Sequence, residues 1–517
     1  MSGAIRTLKN ALAGWGATIA RSALQLVVVP FLIHKLGKEA YGLTGVVMSI
    51  VGLTVIADMG LRKGLTRNLA EHVATRNHDA YNRLASSAMA LYLVLGGLSA
   101  FGLWVMAPWL AARFHVSPHL LGDAIFAIRV FGAGSVFITF IVQVYLGTMS
   151  SHERFDLVNY SNTFLGVFSA VLLLTVLSVT DWALRGWAVL GLLSRILYFL
   201  SVLRMAYGVS PELKLRVRFV TKAALVPVFT VGGWLFLSQA ANALMQNSDS
   251  FILASVLSST AVAVYKPALG LAAVARPFVN ILSVQLNPRA TAYHVTNQPE
   301  RLRELLVRGS KYTFLMGVAS STVLAVFAEP IMRTWLGKAL GDDTAVAAEL
   351  LALWACIDLL VYAGGTQWAV LVATKQLRFP VLVYLPFAVI NVVANALVLK
   401  YGGLGIPGIL LPTLVIEVIM RTIITRYSAH VAGMGAWEYV RRSHLGGLKV
   451  LAVVGLVAGA LRAFVPIHGL AVLLGCATVV TLVWAAAVWL IGFDDGDRTQ
   501  FRSVLSHLRT KLGARTG

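Results

Sequence analysis

Acidic side chains are scarce in this chain: 22 Asp and Glu stand against 43 Lys and Arg in 517 residues, a formal net charge of +21. Charge of either sign is scarce too, at 13% of residues, where a globular protein carries roughly 25%. A soluble chain of this length would need far more charge to stay dissolved, which excludes a water-soluble multidomain protein. Only two cysteines are present, Cys356 and Cys476. Both lie inside apolar runs, so neither a disulfide nor a cysteine metal site is expected. The P-loop pattern of Gly, four residues and Gly-Lys-Ser/Thr is missing, and with it ATP hydrolysis through that motif. No zinc-helix motif occurs. Gly403-Leu-Gly405-Ile-Pro-Gly408 fits a dinucleotide fingerprint only by its letters. With no strand before it and a proline inside it, it reads as a helix-start turn. No catalytic residue, resident metal or cofactor follows from the sequence.

Apolar residues are abundant, at 58%, together with 45 glycines and 12 tryptophans. About fourteen stretches are long enough for the roughly 20 residues that cross a hydrocarbon core. They begin at 11–33, 41–61, 84–108, 121–148, 157–180 and 183–204. Six more follow at 223–252, 262–286, 312–334, 348–373, 380–400 and 404–425, and the last two are 446–465 and 468–491. The expected fold is therefore an all-α integral membrane bundle. The basic surplus sits in short runs between spans, not on one patch, which argues against nucleic acid as a partner. With the N-terminus in the cytoplasm, roughly 30 of the 43 basic residues fall on cytoplasmic loops and adjoining span ends, and roughly eight on outer ones. Both termini are then cytoplasmic. The first apolar run follows Arg6 and Lys9 but is too long for a signal peptide, so a retained span is expected. In the tail, 493–517, Phe501, Val504, Leu505 and Leu508 make an apolar face opposite Arg502, Arg509 and Lys511, as in helices lying on membranes.

The chain also repeats itself. Arg154-Phe155 with Tyr160 recurs as Arg378-Phe379 with Tyr384, a shift of 224 residues. A shift of 221 lays Leu36–Gly42 on Leu257–Ala263. Two halves of six spans start on the same side and make a parallel repeat of the kind transporters use. The expected divisions are a first lobe at 1–222, a second at 223–430, two appended spans at 431–492 and the tail.

Charge inside the spans is costly in lipid and faces the bundle interior. The basic residues there are Arg21, Arg129, Arg195, Lys266 and Arg276, with Arg21 and Arg276 nearest mid-membrane. Gln25 follows Arg21 by one turn. On the seventh span Gln239, Asn242, Gln246 and Asp249 follow spacings of three, four and three. They form one stripe about 15 Å long, and a stripe of that length needs water or other helices against it. Asp358 and Glu417 are the other buried acids. Alternatives stand beside these readings: Arg129 and Lys266 snorkel to an interface, Asp249 pairs with Lys266, or Arg195 pairs with Glu417. A cavity with surplus cations suits an anionic ligand, since the arginine fork matches phosphate oxygens. Asp249, Asp358 or Glu417 would take a proton or sodium ion as coupling ion.

The spans group six, six and two, and local motifs accompany them: Pro30-Phe31-Leu32, Leu36-Gly37-Lys38-Glu39-Ala40-Tyr41-Gly42 and Ala57-Asp58-Met59-Gly60-Leu61. Others are Asp249-Ser-Phe-Ile-Leu with Tyr265, and Asn391-Val-Val-Ala-Asn395 before Gly402-Gly403-Leu-Gly405. In these the chain resembles the MOP (multidrug/oligosaccharidyl-lipid/polysaccharide) exporter superfamily, and within it the Wzx-type polysaccharide flippases. The resemblance implies two lobes around a cavity that opens alternately, in a bacterial inner membrane. Its implied cargo is a polyprenyl-pyrophosphate-linked saccharide, with Arg21 and Arg276 meeting the pyrophosphate and an ion gradient resetting the cycle. A polysaccharide polymerase and chain-length machinery are the implied partners. Ser258-Ser259 departs from the pattern, where the second-half loop would more usually hold Leu-Gly. A drug exporter of the same superfamily would more often have 12 spans and an acidic cavity. A peptidoglycan-precursor flippase fits the spans equally well. A membrane glycosyltransferase or polymerase needs acids in a sizeable outer loop; here those loops are a few residues long, so no enzyme is expected.

Overall fold

A computed structural model describes residues 23–56 and 61–499, apart from the side chains of 55, 63, 227–233, 235 and 280–285. Arg21, Asp58 and the tail from 500 onward lie outside the described residues. Regular structure among the described residues is helical throughout. The first stretch runs α1 (Ala23–Leu36), α2 (Lys38–Leu53), α3 (Leu61–Ala74), α4 (His78–Arg113), α5 (Leu121–Ala127), α6 (Gly134–Ser151), α7 (Phe155–Val179) and α8 (Ala183–Val209). After a linker come α9 (Lys222–Val256), α10 (Ser259–Ala272), α11 (Arg276–Val295), α12 (Pro299–Val326), α13 (Ala328–Leu340), α14 (Thr344–Ala363) and α15 (Gln367–Ala373). The chain ends on α16 (Arg378–Tyr401), α17 (Leu410–Val431), α18 (Ala436–Ser443), α19 (Leu445–Phe464) and α20 (Leu470–Ala487).

Ten helical segments among the described residues are long and apolar enough to cross a membrane. Of the fourteen expected spans, the other four are the first, second, seventh and ninth. The first lies partly outside the described residues. The second is the 16-residue α2, short for a span. The seventh and ninth fall on α9 and α12, continuous helices of 35 and 28 residues. Among the described residues, length and composition thus support ten of the fourteen expected spans. Many apolar side chains point outward: Leu98, Phe101, Trp104 and Trp109 are exposed on α4, Phe101 to 67%. Water would not tolerate such a surface, and lipid solvates it. The protein is multi-pass.

Helix boundaries repeat along the chain. α2 and α10 start 221 residues apart, as do α4 and α12, while α7 and α16 start 223 apart. The breaks repeat with them. Arg76 (φ 54°) and Asn297 (φ 52°) hold the left-handed conformation after α3 and α11, and Glu153 (φ 57°) and Lys375 (φ 58°) hold it after α6 and α15. Non-glycine residues seldom adopt it, so matched pairs mark equivalent turns.

The chain divides into two compact units. One comprises 1–267, 338–343 and 378–413, and the other 268–337, 344–377 and 414–517. The division differs from span order, because α9 and α16 join α1–α8. In the first unit α2 and α10 touch backbone to backbone. A side chain on Gly42 would overlap the Ser259 carbonyl. Gly37 (φ 83°) makes the turn between α1 and α2. Beside it, Glu39 accepts from the Ser117 N–H and hydroxyl at 2.7 and 2.8 Å, and Lys38 binds Asp343 at 2.5 Å. The 36 residues of α4 reach about 54 Å, well beyond a hydrocarbon core of about 30 Å. Its projecting end holds the linker: Asn82, Ser86 and Ser87 accept the backbone N–H groups of Lys214, Arg216 and Thr221.

In the second unit α12 packs against α14 and α19. Phe314, Leu315 and Val318 of α12 share a core with Val450 and Val454 of α19 and with Cys476 and Val480 of α20. Trp484 donates to the Leu315 carbonyl at 2.7 Å. The last two spans are thus part of this unit's core. Beyond them the buried Lys311 binds Asp494 and Asp497, and Tyr312 donates to Asp497 at 2.5 Å.

Candidate functional site

Each unit buries charge among its helices. In the first, α9 carries the polar stripe. Gln239 is half-buried, Asn242 and Gln246 are exposed, and Asp249 is only 1% exposed. Exposed amides on a bundle helix face water, because lipid offers them no partner. The stripe therefore runs from a wet face into a dry end at Asp249. There Tyr265 of α10 donates to Oδ2 at 2.7 Å, and Asn395 Nδ2 of α16 donates to Oδ1 at 3.0 Å. Asn395 also reaches Asn391 Oδ1 at 3.3 Å, and Asn391 reaches Thr413 Oγ1 of α17 at 2.8 Å. The Asn395 carbonyl oxygen is buried without a hydrogen-bond partner. An orphaned acceptor beside a buried carboxylate leaves room for one more positive charge.

Lys266 directly follows this carboxylate's partner Tyr265 in the chain, yet its ammonium donates to Ser49 Oγ at 2.8 Å. Its stem crosses Gly45, where a side chain would collide with it. Lys266 and Asp249 act on one another electrostatically, but hydrogen bonding is divided between them and separate hydroxyls. Arg129 sits in the π-helical stretch Ile128–Ala133 between α5 and α6. It donates to the Trp104 carbonyl at 3.2 Å and stacks over the Trp104 ring at 5.2 Å. Arg195 is half-buried on α8, with Tyr198 within electrostatic reach. Gln25 is exposed on α1.

The second cluster opens α11. Arg276 Nε meets both oxygens of Asp358, at 3.0 and 3.1 Å, and its guanidinium lies 5.2 Å over the Trp354 ring. Trp354, Asp358 and Tyr362 are spaced by four on α14 and so share a face. Glu417 pairs with Arg421 at 3.0 Å one turn along α17, and not with Arg195. Asp358 feels both Arg276 and Glu417. Two arginines and two carboxylates make the cluster neutral as it stands, where a cationic surplus was expected. A phosphate reaching the Nε edge of Arg276 would have to displace Asp358.

Sequence reasoning named Asp249, Lys266, Arg276, Asp358 and Glu417, and among them weighed only an Asp249–Lys266 pair. It missed Asn391, Asn395 and Thr413 as partners of Asp249, and Trp354 as the shelf of Arg276. The signal for the asparagines was present: two amides one turn apart in an apolar span. No cluster of three His, Cys, Asp or Glu able to hold a metal occurs among the described residues. The Asp249 site instead offers one carboxylate and neutral oxygens. That set suits a proton or a hard monovalent cation better than a transition metal.

Residues 7–293 match the family model described as "Polysaccharide biosynthesis protein". A Shigella flexneri protein named "Putative O-antigen transporter" is 25% identical over 245 residues, 46% of this chain. The chain spans about half the length, 56%, of that curated relative. Among solved structures, an inward-facing multidrug resistance MATE family transporter of the MOP superfamily is similar with TM-score 0.68 and 16% identity. The match covers 80% of this chain and 96% of that one. Lipid II flippase MurJ, in an inward closed conformation, is similar with TM-score 0.69 and 15% identity, over 92% and 99%. Identities this low speak for the fold alone.

Proposed function

The chain belongs to the polysaccharide biosynthesis protein family, and from that premise we propose that it is a flippase for a polyprenyl-pyrophosphate-linked oligosaccharide. It carries the glycan from the cytoplasmic to the periplasmic leaflet of a bacterial inner membrane by alternating access, and it catalyses no bond change. Both termini are cytoplasmic, and the halves at 1–222 and 223–430 are the moving parts. Polymerase and chain-length machinery receive the product. The O-antigen relative and the family match support the saccharide half of this reading.

The observation that carries the coupling half is Asp249, a buried carboxylate caged by Tyr265, Asn395, Asn391 and Thr413 with one acceptor left over. A proton or sodium ion settles there, held by the carboxylate and the amide oxygens. Arg276 meets the diphosphate by exchanging Asp358 for phosphate oxygens, and the freed Asp358 is then compensated by a cation. Arg21 is the second diphosphate contact, with Arg129, Arg195 and Lys266 as supporting charge and Gln25, Gln239, Asn242 and Gln246 lining the wet path.

The test is mass spectrometry of lipid extracts from a strain lacking this gene and from the complemented strain. Accumulation of one complete lipid-linked repeat unit supports the reading and names the sugar. If the lipid is a peptidoglycan precursor, the substrate changes and the mechanism stands. No accumulation, in a strain that makes the glycan and lacks a redundant flippase, moves the protein to small-solute export.

A further inference from the structure

Two cavities stand at matching places of the repeat. One lies at the α3–α4 turn of the first unit, lined by His72, Arg76, His78, His152 and Glu212 among others. The other, about 450 Å³, lies at the α11–α12 turn of the second. At the offset of 221, His72, Arg76, His78 and Tyr81 correspond to Tyr293, Asn297, Pro299 and Leu302. The repeated turns account for both hollows, so their linings are free to differ. The first is ionisable. The second has no Asp, Glu, Lys or Arg in its wall, and its titratable side chains besides tyrosine are the imidazoles of His294 and His430.

Apart from those imidazoles, the charges nearby in the chain stay out of the wall. Arg289, Arg301, Lys375, Arg378 and Arg426 all lie within a few positions of lining residues, and none of them lines the cavity. The wall offers the amides of Asn297, Gln298 and Gln376, the Thr374 hydroxyl, the imidazoles of His294 and His430 and the rings of Tyr293 and Tyr427. An amide presents donor and acceptor side by side, the pattern that neighbouring sugar hydroxyls present in return. Aromatic rings add flat apolar faces that suit the C–H side of a pyranose. Tyr427 donates to Gln376 Oε1 at 3.0 Å, which fixes the acceptor end of that amide. No guanidinium, ammonium or carboxylate is on hand for a charged ligand, whereas a neutral polyhydroxylated one meets amides, a hydroxyl, imidazoles and rings. The volume falls within the roughly 300–1,000 Å³ of small-molecule sites.

We propose that this cavity docks a neutral sugar of the lipid-linked saccharide on the side of the membrane that carries the basic loops. The proposal rests on the flippase reading and places glycan selection outside the charged clusters. The probe is the oligosaccharide released by mild acid from the lipid that the deletion strain accumulates. Saturation-transfer NMR on the purified protein reads its binding. Sugar signals are expected with the wild type, with binding at least tenfold weaker for Tyr293→Leu/Gln376→Ala. His72→Ala, in the other cavity, should bind like wild type. Unchanged thermal unfolding of all variants shows that the fold is kept. Accumulation of the lipid together with binding that ignores Tyr293→Leu/Gln376→Ala, or with no binding, overturns the cavity and leaves the flippase. No accumulation overturns both.

Discussion

Removing the Arg276 side chain tests whether the second cluster is held together by charge. Arg276 and Asp358 are 20% and 6% exposed at their side chains, and the guanidinium also covers Trp354. Arg276→Ala would leave Asp358 buried without its partner, which typically costs about 3–5 kcal/mol. The orphaned carboxylate could escape by taking a proton. At neutral pH an ordinary carboxyl is about three pH units from its pKa, so that escape costs about 4 kcal/mol. The two routes agree, and about 4 kcal/mol is nearly three orders of magnitude in the folding equilibrium. Loss of the contact with Trp354 adds about 0.5–2 kcal/mol. In Arg276→Met/Asp358→Leu no charge is stranded, and such replacements are often close to neutral. The assay is unfolding of the purified protein in mixed micelles by SDS titration, followed by tryptophan fluorescence. The single variant should lose most of the expected energy, and the double variant should regain most of it. A single variant within 1 kcal/mol of wild type, or a double variant as weak as the single, would refute the reasoning. The stable double variant then isolates function: if Arg276 meets the diphosphate, the strain carrying it still accumulates lipid-linked saccharide. Normal clearance would remove Arg276 as a ligand.

Other expectations follow from the same contacts. Asp249→Asn should abolish stabilisation by sodium or by protons, read as the shift in thermal midpoint with cation concentration; a shift equal to wild type would remove Asp249 as the cation site. Lys311→Met leaves Asp497, 1% exposed at its side chain, without its cation and should cost about 3–5 kcal/mol, with Asp497→Asn restoring much of it in the same SDS titration. Burial alone would raise the neighbouring Asp494 carboxyl, but the Asp497 N–H and the Lys311 ammonium hold it below the usual range. Its contribution is therefore present at neutral pH and lost as pH falls through that lowered value, so proteolysis of the tail should accelerate only below the ordinary carboxylate range. Gly42→Ala drives a methyl into the Ser259 carbonyl and should cost about 1–3 kcal/mol in the same titration, whereas Gly97→Ala, with open space around it, should cost little.

The sequence by itself determined that the chain is a helical membrane protein with a repeated plan. Both follow from local physics. Apolar length decides whether a segment enters lipid, and equivalent turns need equivalent breaks, which is why offsets of 221 to 224 were readable in Leu36–Gly42 and Arg154-Phe155 and return as helix starts and left-handed residues. The cost of burying charge also made Asp249, Arg276 and Asp358 visible as single residues. Their partners were not visible. Asp249 meets Asn395 across 146 residues, Arg276 meets Asp358 across 82, and Lys311 meets Asp497 across 186. Periodicity fixes which face of a helix a side chain occupies, but not which helix lies against that face. Only tertiary packing made Arg276 half of a neutral pair, moved the Lys266 hydrogen bond onto Ser49, and gathered α9 and α16 around one carboxylate. The reason is that hydrogen bonds and ion pairs act over about 3 Å, and that proximity between distant segments exists only once the helices have packed.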